Sequence, residues 1–123
     1  MLRPVLEYCS PVYHSMLTAE MSEELERMQR LAIRIIYGFD KKYLTILAEK
    51  NILTLEDRRK NAFDNYALNL AKSVRFKHWF TENNSNLELR RMSKYTEEFA
   101  RSKRLYDSPI FAMRRRLNEL NVT

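Results

Sequence analysis

Apolar residues recur along this chain at steps of three and four, the spacing that lines one face of a helix. Leu2, Val5, Leu6, Cys9, Val12, Tyr13 and Met16 begin the pattern and predict a helix over about 2–16. Pro11 interrupts it, because proline has no amide to donate and clashes with the carbonyl four residues back. Ser10–Pro11 reads instead as a cap followed by proline at the first helical position, so a kink or restart is expected there. The apolar face is already running at the second residue. The chain is therefore expected to start inside an element, with Leu2, Val5 and Leu6 around an apolar face left for another surface or a second copy.

The second helix is the clearest. Thr18 caps it, residues 19–37 form its body, and Gly38 stops it. Its stripe is Met21, Leu25, Met28, Ala32, Ile35 and Ile36, expected to be buried. Asp40 is expected to cap a third helix over about 41–50 that buries Tyr43, Leu44, Ile46 and Leu47 and ends at Asn51. A fourth, about 55–74, starts at Thr54 with Asp57 three residues on, the spacing of a capping box. Its stripe of Leu55, Ala62, Phe63, Tyr66, Ala67, Leu70, Ala71 and Val74 contains Arg59, expected to reach out to solvent along its stem. Helices two and four carry the longest stripes and are expected to pack as the central pair. The aromatic knot "RFKHWF" at 75–80 closes this part. Residues 81–107 carry no clear period, and their asparagines at 83, 84 and 86 mark a loop. Ser108–Pro109 repeats the cap-plus-proline device and opens a last helix, about 109–120.

The reading is thus all-α: an irregular bundle of about five helices. A helical core spans residues 1–80, a basic, partly irregular part spans 81–123, and the whole forms a single domain. Composition agrees. One Gly and three Pro in 123 residues leave too few turn formers for an all-β fold. The single cysteine, Cys9, cannot form an internal disulfide and reads as a small core residue in an intracellular protein of cytoplasm or nucleus. No run approaches the length of a membrane span, since "LAIRIIYGF" is broken by Arg34.

Charge adds a direction. The net charge is +6, and Lys/Arg balance Asp/Glu up to residue 53, so the second half carries the excess. Such a half suits a polyanion or an acidic partner. Catalytic patterns are missing from the sequence. Adjacent acids at Glu23–Glu24 and Glu56–Asp57 lie on helices about 100° apart and do not converge on one ion. His14 and His78 are far apart, and a lone Gly38 makes no phosphate-binding loop. No cofactor is expected. Arg and Lys do alternate with aromatics in "RFKHWF", "RRMSKY" and "RSKRLY". Cations of that kind neutralise phosphates, and rings stack on unpaired bases; the same rings serve equally as core.

Four stretches in order carry a resemblance: "RPVLEYCSPVYHSMLT", "LERMQRLAIRIIYG", "LTLEDRRKNAF" and "SKYTEEFARSKRLYDSPIFAMRRRLNEL". Together they resemble the C-terminal region of reverse transcriptases from non-LTR (LINE-type, Jockey-like) retrotransposons, with Tyr13 where that family usually has Trp. The resemblance implies a thumb-like module that follows the polymerase palm. The palm's catalytic aspartates have no counterpart here, so the chain itself is expected to be non-catalytic. Expected partners are RNA or DNA, the upstream palm, and a second copy through the N-terminal helix. The alternative reading is an interaction module that docks on the palm or self-associates through that apolar face. Candidate nucleic-acid contacts are Arg58, Arg59, Arg90, Arg91, Arg101, Lys103, Arg104, Arg114, Arg115 and Arg116.

Overall fold

A computed structural model describes residues 2–84 and 93–122, with side chains described for 4–84 and 93–120. The protein is all-α. Seven α-helices are present among the described residues: α1 (Leu2–Glu7), α2 (Ser10–Tyr13), α3 (Ala19–Tyr37), α4 (Tyr43–Lys50), α5 (Leu55–Lys72), α6 (Lys103–Tyr106) and α7 (Pro109–Val122). Two 3-10 segments, His14–Met16 and Val74–Trp79, join them. The expected first helix is therefore three short pieces. The break falls at Cys9, which adopts the left-handed conformation at φ 54° and caps α2 itself, so Ser10 lies inside the helix. That geometry turns Cys9 outward: it is exposed and not the core residue expected. The Tyr13 hydroxyl donates across the break to the Leu6 carbonyl at 2.8 Å.

Local capping chemistry sets the long helices. The Thr18 hydroxyl accepts from the Met21 amide at 3.2 Å and starts α3. Gly38, at φ 91°, ends it, a backbone angle that glycine reaches without a Cβ penalty. Thr54 accepts from the Asp57 amide at 3.2 Å and starts α5, while its hydroxyl donates to the Asp57 carboxylate at 2.7 Å. Asn51 ends α4 in the left-handed region at φ 52°. Lys42, not Asp40, occupies the N-cap of α4, with no side-chain cap bond.

Two apolar clusters hold the bundle. The larger gathers Phe63, Ala67 and Leu70 of α5, Phe80, Tyr95, and Ala112, Met113 and Leu117 of α7, with Phe76 and Trp79 packed against it. The smaller joins Ile33 of α3 to Tyr43, Ile46 and Leu47 of α4, with Ile52 beside it. Helix α5 is the hub, since α2, α3, α7 and the Val74–Trp79 segment all pack on it. The expected stripes need correction. Tyr66 is exposed on α5, Val74 lies beyond the end of α5 in the 3-10 segment and is exposed, and Leu44 is exposed on α4. On α3, Met21, Met28, Ile35 and Ile36 all face solvent, and the buried residues are Gln29 and Ile33.

The reason is a polar network that orients α3. Gln29 Nε2 donates to the Tyr43 hydroxyl at 3.0 Å, and that hydroxyl donates to Glu26. The other Glu26 oxygen accepts the Leu55 amide at 3.0 Å. That amide is one of the four at the start of α5 with no partner inside the helix, and a carboxylate there also meets the positive end of the helix dipole. Burial, reinforced by Glu26, raises the Tyr43 hydroxyl to a pKa of about 12, so it remains a donor. The side of α3 that carries Glu26, Gln29 and Ile33 thus docks, and its longer apolar stripe is left out.

Residues 93–100 are anchored from a distance. The Asn118 side chain accepts from the Tyr95 amide at 2.9 Å and donates to its carbonyl at 3.0 Å, as a neighbouring strand would. A single antiparallel bridge, Glu82 to Tyr95, completes the attachment.

Candidate nucleic-acid interface

The ten nominated cations separate into three groups. Five have work inside the fold. Arg58 makes a two-pronged pair with Glu7 (Nε–Oε1 2.5 Å, Nη2–Oε2 2.9 Å), which ties α1 to α5. The bond to Glu7 raises the Arg58 pKa further. Arg116 forms the same arrangement with Asp64 (2.8 and 3.0 Å) and also donates to Glu119 at 3.1 Å, so α7 is latched to α5. Its pKa is raised, first by Asp64 and then by Glu119. Arg114 is buried and donates to the Trp79 carbonyl at 2.7 Å and to Glu98 at 3.5 Å. Arg115 donates to the Tyr106 carbonyl at 2.7 Å and lies 3.6 Å over the Tyr106 ring.

Arg59 corrects the sequence reading outright. It does not reach solvent: its relative exposure is 2 %, among the largest fully buried side chains. One Nη donates to the Ser22 hydroxyl at 2.6 Å, while Nε is buried with no hydrogen-bond partner. Nearby, His14 Nδ1 is also buried without one. Burial, then the positive charge of Arg59, lowers the His14 pKa below 6.5. A neutral imidazole lying against the Phe63 ring, 5.3 Å between centroids, is the consequence.

Arg90 and Arg91 lie outside the described residues. Arg101, Lys103 and Arg104 form the third group. All three are exposed, and they form no ion pair among the described residues. The Ser102 hydroxyl accepts from the Leu105 amide at 3.2 Å and starts α6, so the three cations sit at and just before one helical turn. That turn is fastened to the body, since Ser15 Oγ donates to the Asp107 carbonyl at 2.7 Å. Tyr106, half-exposed, shares its ring with Arg115. Phe99, 88 % exposed, stands two residues before Arg101. Phe99 belongs to none of the three basic-aromatic stretches named above. The signal available was its place in "FARSKR", an aromatic next to alternating cations.

The other two basic-aromatic stretches resolve differently. In "RFKHWF" the rings turn inward: Phe80 is buried, and Phe76 and Trp79 pair at 4.7 Å against the main cluster. Arg75, Lys77 and His78 remain exposed. In "RRMSKY" the Tyr95 ring is buried against Phe80. Exposed cations and an exposed ring thus occur together at 99–106.

A groove of about 840 Å³ runs between α3, α4 and the start of α5, lined by Glu23, Glu26, Arg30, Arg34, Lys42 and Thr54 among others. Its charges are mixed in sign. Among the described residues no group of three or more His, Cys, Asp or Glu is placed to hold a metal ion, and no helix is long and apolar enough to cross a membrane. The class that fold and surface define is an all-α module with a basic-aromatic surface turn at residues 99–106. No protein-family model matches the chain, and no significant match is found among curated proteins or solved structures.

Proposed function

We propose that this chain is a non-catalytic helical module of a retrotransposon-type RNA-directed DNA polymerase, and that it helps hold the template–primer duplex against an upstream palm. The resemblance in four ordered stretches supplies the setting. The observation that carries the duplex contact is the 99–106 turn, where Arg101, Lys103 and Arg104 are exposed beside Phe99 and Tyr106. Cations at that spacing neutralise phosphates of either strand, and the contact has little sequence preference. Rings beside them stack on an unpaired base at a template overhang.

The test is fluorescence anisotropy with a labelled RNA–DNA hybrid bearing a single-stranded overhang. Three phosphate contacts predict about a 40-fold loss of affinity between about 50 mM and about 200 mM salt. The triple variant Arg101→Glu, Lys103→Glu, Arg104→Glu, checked for fold by circular dichroism, should abolish binding at the lower salt. No binding by the parent chain at low salt, or binding untouched by the triple variant, contradicts the proposal.

A second reading, docking on the palm through the N-terminal apolar face, has its own support. Val5 on α1 and Tyr8 just after it are 75 % and 78 % exposed, and Glu7 fixes the end of α1 in place through Arg58. Leu6 is only half-exposed. Loss of co-purification with a separately expressed palm upon Val5→Asp or Tyr8→Asp, with the melt unchanged, is the expected result for this reading.

A further inference from the structure

The outer face of α3 has a pattern that the duplex contact does not use. Met21, Met28, Leu31 and Ile35 are each about half exposed or more, and they follow one another at steps of seven, three and four. That is the seam of a two-helix pairing, and no described element covers it. Charge is sorted along the same face. Glu20 and Glu24 are exposed at its N-terminal end, and Arg27 and Arg34 are exposed toward its C-terminal end. None of the four forms an ion pair among the described residues, whereas Glu23 and Arg30, one flank over, are paired at 3.1 Å. Glu26 is likewise occupied, by Tyr43 and the Leu55 amide.

We infer that this face binds a second copy of the same chain, antiparallel across a two-fold axis near the middle of α3. A parallel arrangement would set acid on acid and base on base, and an unrelated partner would have no reason to match the order. The antiparallel one is self-complementary, as a two-fold interface must be. With the axis level with residue 26, Met21 packs on Leu31 of the second copy, Glu24 lies next to its Arg27, and Glu20 lies within a turn of its Arg34. Each ion pair then occurs twice.

Sedimentation velocity without nucleic acid, over about 1 to about 200 µM, tests this apart from the duplex contact. The parent chain should form a dimer. Leu31→Glu, an exposed site that leaves the monomer folded, should abolish it. Arg34→Glu alone, which turns two attractions into two repulsions, should weaken association about tenfold. The swapped double variant Glu20→Arg with Arg34→Glu recreates the pair in reverse and should restore the parent dimer. A monomer at every concentration overturns the inference, and so does a dimer indifferent to Leu31→Glu. Failure of the double variant to recover overturns the antiparallel order.

Discussion

Helices α3 and α5 are nearly equal in length, and each begins on a threonine whose hydroxyl takes a first-turn amide. Their fates differ. Helix α5 buries Leu55, Phe63, Ala67 and Leu70, while α3 buries Gln29 and Ile33 and leaves its richest apolar stripe in solvent. Amphipathicity says that a helix has two faces, not which one the rest of the chain will cover. On α3 the choice is made by hydrogen bonds. Glu26 and Gln29 satisfy Tyr43 and the start of α5, and turning the helix over would strand those groups. On α5 apolar burial decides, and it takes Arg59 inside with the stripe.

The largest effect should come from the hub. Phe63 is buried against His14 and the α7 cluster, so Phe63→Ala should cost about 3–5 kcal/mol in a urea melt, enough to unfold much of a marginally stable domain. A loss comparable to that of a surface substitution would remove α5 from the centre of the fold. Next is Asn118, whose amide serves both the Tyr95 amide and carbonyl. Asn118→Ala leaves two buried backbone groups unpaired and should cost about 1–3 kcal/mol. Fast hydrogen exchange at the Tyr95 amide is the local readout.

Arg59 joins the two helices at a polar contact with little to recommend it energetically. Its guanidinium is buried on Ser22 with Nε unbonded. Replacing a buried charge by an apolar side chain of similar length is often stabilising. Arg59→Met should therefore raise stability by about 1 kcal/mol, whereas Arg59→Ala, which leaves a cavity, should lower it. A destabilised Arg59→Met would show that the charge holds α3 to α5.

The smallest effect is in pH. His14 titrates below 6.5 when folded, because it is buried and faces Arg59 and Lys60, with Asp64 and Glu56 opposing them. As pH falls through the unfolded value the unfolded chain takes up the proton first. Stability contributed by the neutral imidazole is therefore lost as pH drops below about 6.5, until the folded value is passed. His14→Gln should flatten that part of the stability profile. An unchanged slope would place the dependence elsewhere.

What could be read from the sequence was local. The Thr18 and Thr54 caps, the stops at Gly38 and Asn51, and the break before Pro11 each depend on residues within a turn of one another. Nothing within a turn of Arg59 announces that Ser22, far along the chain, will receive it. Nor does "SKYTEEF" reveal that Asn118 holds it in place. The candidate interface was half legible for the same reason. Arg101, Lys103 and Arg104 stand where a short capped turn keeps them outside, but Arg58, Arg114 and Arg116 are held by Glu7, Trp79 and Asp64, partners fixed only by the tertiary fold.

Two isoleucines two residues apart give the most direct test. Ile33 is 6 % exposed and Ile35 is 67 % exposed on the same helix. Substitution by alanine changes helix propensity identically at both, so urea melts of the two variants in dilute solution isolate burial. Ile33→Ala should cost about 2–4 kcal/mol and Ile35→Ala less than about 0.5 kcal/mol. If Ile35→Ala is the more damaging, the apolar stripe of α3 faces the core after all, and the orientation of that helix is the reverse of the one described.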